Sequence, residues 1–157
     1  MTFSSFNTRR GFTLIELLIV MGIIAILAAV VIVAINPARQ FAQARNSQRV
    51  SNVQAILDAM GQNLADKRGI FTCAAGDIPA TSTEMKKTDG YDIRPCIVPV
   101  YLSEIPVDPT DGENTCNEDC TEGSYFTGYM VMQNASTSRI TVSAPHAELG
   151  ETISITR

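Results

Sequence analysis

Residues 11–35 read GFTLIELLIVMGIIAILAAVVIVAI, and Glu16 is the only charge among them. As a helix at about 1.5 Å per residue, the apolar run 12–35 spans roughly 36 Å, enough to cross a bilayer core of about 30 Å. A carboxylate inside such a span is costly, so by default it has a function and needs a partner. The partner must be positive and close. A cut after Gly11 would create an α-amino group at Phe12, one helical turn from Glu16. An acid in the first turn also suits the helix dipole. The spacing therefore points to a charge pair, within one chain or with a neighbouring copy's amine, which the uncut chain lacks.

Outward from this stretch, the N-terminal side is short and polar, MTFSSFNTRRG, with Arg9 and Arg10 next to the run. On the other side Asn36-Pro37 interrupts the pattern, either as a simple kink or as a point of local unwinding. Helix formers then resume. Val50, Val53, Leu57, Met60 and Leu64 recur at spacings of three and four, an apolar stripe on an otherwise wet helix. Gly69 after Lys67-Arg68 makes a helix stop. One long helix is expected over about 12–68, half within a membrane and half outside it.

Residues 70–124 hold Pro79, Pro95, Pro99, Pro106 and Pro109 and read as a long connecting region with short elements. A loop of that length in a small domain calls for staples. The chain's four cysteines, Cys73, Cys96, Cys116 and Cys120, lie in it. An even number beyond the apolar span reads as two disulfides in an oxidising compartment. Three connectivities are possible, and locality favours Cys73–Cys96 with Cys116–Cys120. Zinc is the alternative, but only Cys116 and Cys120 have knuckle-like spacing. The runs 125–132, 139–143 and 152–156 are β-rich with period-2 apolar pairs, Ile140/Val142 and Ile153/Ile155. Together these give an α+β class: a long N-terminal helix packed on a small antiparallel sheet. The expected organisation is a cleaved leader 1–11, a transmembrane half 12–35, and an extracytoplasmic head 36–157.

Composition narrows the function. A net charge of −4 argues against nucleic-acid backbone binding, which needs a basic face. His146 is the lone histidine, and no nucleophile motif accompanies it, so no catalytic residues are assigned. The acidic loop with Asp108, Asp111 and Glu113 offers oxygen ligands for Ca²⁺, without an EF-hand spacing; no cofactor is otherwise expected. Asn134-Ala135-Ser136 matches the short glycosylation sequon. Ala42-Gln43-Ala44 supplies an A-x-A site for ordinary signal cleavage, but the apolar run is too long for that and contains Glu16.

Gly11-Phe12-Thr13-Leu14-Ile15-Glu16, followed by the apolar helix, resembles the class III signal of type IV pilins and pseudopilins. The resemblance implies cleavage after Gly11 by a membrane prepilin peptidase, methylation of Phe12, and a role for Glu16 in docking subunits in register. It implies partners in further copies of the chain, other pilins or pseudopilins, an inner-membrane assembly platform protein, and the bilayer before assembly. It implies a single-pass anchor with a cytoplasmic N-terminus and a filament beyond the membrane. Basic residues flank both ends of the span, so charge bias alone leaves orientation open. Tyr101-Leu102-Ser103-Glu104-Ile105-Pro106-Val107-Asp108-Pro109 is similar to a segment of major pseudopilins of type II secretion. That branch has Trp-Gly after Asp-Pro, where this chain has Thr110-Asp111-Gly112. Disulfide pairs are more typical of true pilins, which serve adhesion, twitching motility or DNA uptake. A membrane-anchored binding module that forms no polymer is the reading from another class.

Overall fold

The computed structural model describes residues 11–157; residues 1–10 of the expected leader, with Arg9 and Arg10, lie outside the described residues. The chain divides into two units, one ending at Gln40 and one running from Phe41 to Arg157. In the first, α1 spans Leu14–Ile35 and buries no residue. Its leucines and alanines favour a helix, and it is apolar all round, as a helix surrounded by lipid or by other helices is. It is long and apolar enough to cross a membrane.

The helix expected over 12–68 runs from Leu14 to Asp66 but is divided at Asn36 into α1 and α2, Pro37–Asp66. The residue before a proline is pushed out of the right-handed helical region, and asparagine tolerates the left-handed one. Asn36 accordingly sits at φ 47°. It also starts the next helix. Its carbonyl accepts from the Arg39 and Gln40 amides at 3.1 and 3.4 Å, and its Oδ1 lies 3.4 Å from the Arg39 amide. Pro37 then takes the first helical position, where its missing N–H removes no bond. At the other end Gly69, at φ 88°, donates to the Leu64 carbonyl.

In the second unit the buried face of α2 is Ala42, Asn46, Arg49, Val53, Ile56, Leu57, Ala59, Met60 and Asn63. The expected stripe is partly displaced: Val53, Leu57 and Met60 are buried and Leu64 is half-buried, but Val50 is exposed. The seam at 42, 46, 49, 53, 56, 60 and 63 has helical spacing, yet three of its members are polar. A reading that followed apolar residues alone missed them. Each of the three is hydrogen-bonded, as burial requires. Asn63, for example, exchanges hydrogen bonds with the backbone of Thr72 and donates to the Cys96 carbonyl.

The sheet holds the three expected strands, here β3 (Tyr125–Gln133), β4 (Ile140–Ala144) and β5 (Ile153–Thr156). It gains β1 (Thr83–Lys86) and the short β2 (Glu113–Asn114) from the connecting region, which also holds the one-turn α3 (Arg94–Ile97). All pairings are antiparallel, in the order β1-β3-β4-β5. Phe126 pairs with Lys86 on one side and Glu113 on the other. β2 and β4 therefore share one edge of β3, β2 at its start and β4 from Met130 onward. The Asp108 loop fills the gap between them, its amide donating to the Thr127 carbonyl at 2.8 Å. Gly128 makes this approach possible: at φ 74°, a Cβ there would lie 2.8 Å from Asp108 Cβ. The core lies between α2 and the sheet, with Met60, Met85, Ile93, Ile97, Tyr129 and Val131 among its most buried members. Disulfides join Cys73 to Cys96 and Cys116 to Cys120.

Gly128→Ala is expected to destabilise the head by about 2 kcal/mol or more, through left-handed strain and the clash with Asp108. Denaturant unfolding of the full chain in detergent measures this.

Candidate functional site

Residues 11–13 are not helical, so the Gly11–Phe12 peptide bond lies just outside α1. Thr13 fixes where the helix begins. It is extended at φ −80°, ψ 151°, and its Oγ1 accepts from the Glu16 amide at 3.2 Å. Glu16 reaches back, and its Oε2 accepts from the Thr13 amide at 2.9 Å and the Thr13 hydroxyl at 2.8 Å. This reciprocal capping box satisfies donors that the first turn leaves open. The Thr-x-x-Glu spacing in the sequence is the signal for this box. Glu16 thus has partners before any cut is made. Gly11 and Phe12 are exposed, and Phe12 and Glu16 line one shallow recess with Leu17, Val20 and Met21.

A family model, the prokaryotic N-terminal methylation motif, matches residues 6–32. The chain carries the class III signal of type IV pilins and pseudopilins. Comparison with curated proteins and with solved structures gave no match. The motif marks a pilin-like prepilin peptidase substrate and filament subunit, and with α1 it fits a membrane-anchored protein with an extracytoplasmic head.

The head of this pilin-like chain is organised around a buried ion pair. Arg49 and Asp108 side chains are both fully buried, with Nε–Oδ2 at 2.7 Å and Nη2–Oδ1 at 3.0 Å. Burial pushes the Asp108 carboxyl up. Hydrogen bonds from Arg49, from the Thr110 and Asp111 amides and from the Thr110 hydroxyl outweigh it and hold the carboxyl down at about 2. The Arg49 guanidinium is driven up chiefly by its hydrogen bonds to Asp108, with Glu148 adding to them against burial. Glu148 also pairs with Arg45 at 2.6 Å and Arg49 at 2.9 Å, and these bonds lower its carboxyl to about 2.

Of the three candidate calcium ligands, the structure brings Asp108 and Asp111 together at the Thr110 hydroxyl, 3.0 and 2.9 Å from it. Asp108 points inward to Arg49, Asp111 lies 3.4 Å from His146, and Glu113 sits exposed in β2. Among the described residues no group of three His, Cys, Asp or Glu side chains is placed to hold a metal. The loop closed by Cys116–Cys120 turns carbonyls toward the protein's own cations. Arg94 Nη2 donates to Glu118 at 3.0 Å, and Lys87 Nζ donates to Cys120 and Gly123 at 2.8 and 2.7 Å.

Arg49→Met, which leaves Asp108 buried and unpaired, is expected to cost about 3–5 kcal/mol. Arg49→Met with Asp108→Leu is expected to recover most of it. Asp108 has a folded pKa below its unfolded one. Its contribution is complete above about pH 4 and is lost as pH falls toward about 2. Acid titration of stability is expected to show this drop, and Asp108→Asn to reduce it, leaving the share that Glu148 contributes over the same range.

Proposed function

We propose that the chain is a structural subunit of an extracytoplasmic helical filament, a pseudopilin of a type II secretion-like system that moves proteins across the envelope. The observation that carries the reading is the methylation motif over residues 6–32, set at the start of a helix with no buried residue. Such an apolar surface has to be covered, first by lipid and after extraction by other copies. Heterologous contacts that do not close into a ring then build an open filament.

The leader faces the cytoplasm, so that the cysteine-bearing head meets an oxidising compartment. The peptidase cuts the exposed Gly11–Phe12 bond. The new Phe12 ammonium then competes with Thr13 for the Glu16 carboxylate, within one subunit or across two. This polar contact in an apolar seam sets register. The role in this reading is structural, and Arg49 occupies the Asp108 carboxylate that a cation would otherwise hold.

The alternative is a type IV pilus subunit for adhesion, twitching motility or DNA uptake. The two disulfides favour it. The Tyr101–Pro109 segment favours the pseudopilin. Its Asp108, however, has a structural task with Arg49, which either branch can need. A non-polymerising binding module would use Glu16 only to cap α1.

Glu16→Leu is expected to insert and be processed yet yield at least tenfold fewer filaments in sheared fractions by electron microscopy. Wild-type filament yield from this variant would remove Glu16 from assembly. Chelation with EDTA is expected to leave the melting temperature of the head unchanged.

A further inference from the structure

The sheet has β1 and β5 as its outer strands, and the two edges are finished differently. β1 is blunted. Its register slips between Glu84 and Lys86, those two side chains pair at 2.8 Å, and the Glu84 carbonyl accepts from the Tyr91 amide of the following loop at 2.9 Å. Bulges, charges and a covering loop are the usual protection of a sheet edge. β5, Ile-Ser-Ile-Thr, has no charge or proline and pairs with β4 in unbroken register. Ile140 and Arg157 exchange both backbone hydrogen bonds, at 2.8 and 2.9 Å. By alternation Ile153 and Ile155 also turn their backbone groups to β4, and Ser154 and Thr156 turn theirs away. These two residues and the preceding Thr152 are exposed. Among the described residues their outward N–H and C=O groups have no partner.

Unpaired strand groups specify their occupant, which must be another extended backbone. The sequence indicates which one. Residues 152–156 read Thr-Ile-Ser-Ile-Thr, the same in both directions about Ser154. Antiparallel pairing of two copies about that residue sets Ser154 against Ser154, Ile153 against Ile155 and Thr152 against Thr156. Like meets like on both faces of the strand. A threonine pair of this kind already joins β4 to β5, with the Thr141 and Thr156 hydroxyls 2.8 Å apart. Glu151 and Arg157 fall opposite each other at the ends. Both are engaged within their own chain, with Asn46 and Asp58, so their unlike charges avoid repulsion and supply no new pair.

We infer that β5 pairs antiparallel with β5 of a second copy about a two-fold axis at Ser154, joining two sheets into one. Thr152, Ser154 and Thr156 of the two copies exchange about six backbone hydrogen bonds. The half-buried Ile155 gains Ile153 of the second copy as a cross-strand neighbour. β5 is only four residues long, so the contact is weak between free molecules. Copies held in one bilayer by α1 meet at high effective concentration. A two-fold contact closes on itself and does not extend a polymer. The inference therefore goes beyond the filament reading and describes a pair of membrane-held subunits.

The test is oxidative cross-linking of the full chain in membranes with copper phenanthroline, read as dimer on a non-reducing gel. The native cysteines are all in disulfides within the chain, so the wild type gives the baseline. Ser154→Cys is expected to give at least tenfold more dimer than Thr152→Cys or Thr156→Cys alone. In the proposed register the two copies of residue 152 lie about 14 Å apart along the strands, as do those of residue 156. Coexpression of Thr152→Cys with Thr156→Cys is expected to restore the dimer. Thr156→Pro removes an N–H that faces away from β4, a place where an edge strand tolerates proline. Added to Ser154→Cys, it is expected to leave the head's melting temperature near that of Ser154→Cys alone and to lower the dimer at least fivefold. Absence of dimer from Ser154→Cys would overturn the pairing. Equal cross-linking at 152, 154 and 156 would mark random collision and also overturn it, as would full cross-linking of Ser154→Cys in the presence of Thr156→Pro.

Discussion

The head depends on one buried charge pair. Arg49 of α2 and Asp108 of the loop before β2 are both withdrawn from water, and neither is tolerable there alone. Together they fix the helix against the sheet at a defined position along its axis. The Asp108 loop enters the gap that β2 and β4 leave on β3, and Gly128 lets it in. From the same arginine a second branch reaches Glu148, and through it Arg45 and Asn46 hold the C-terminal turn. Loss of the pair would release three segments distant in sequence: the α2 seam, the Asp108 loop and the turn at 146–151.

The first unit obeys an opposite constraint. α1 has no internal partner to bury, and its single carboxylate is satisfied by Thr13 at the point where the helix begins. A capping box here does two things. It fixes the start of α1 after Thr13, with the peptide bond before Phe12 outside the helix. It also holds a carboxylate ready, in hydrogen bonds that a stronger positive partner can replace. The methylation motif therefore combines the proposed cleavage site, a helix start and a capped carboxylate within six residues.

The N-terminal half of this account was legible because its signals are local. An apolar run, a lone acid and a proline each act within one or two turns, and the motif they form is specific. The head was less legible because its order comes from long-range polar contacts. Asn46, Arg49 and Asn63 share a helical face with Val53, Ile56 and Met60, but polar side chains at those positions look like solvent-facing ones until their partners are known. Asp108 read as a calcium candidate for the same reason: a carboxylate in an acidic loop looks alike in sequence whether it turns out to water or in to an arginine. β1 and β2 were absent from the sequence reading because four-residue and two-residue strands lack a period to detect. The Tyr101–Pro109 segment drew notice in the sequence only by a resemblance, while its contact, Asp108 with Arg49, required the fold.

The most direct test is mass spectrometry of the N-terminal peptide from membrane or sheared-surface fractions. The account predicts a chain beginning at N-methylated Phe12. A chain still beginning at Met1 would make α1 a plain anchor, and one beginning at Arg45 would make the head a secreted soluble domain. Either would contradict a filament subunit matured at Gly11.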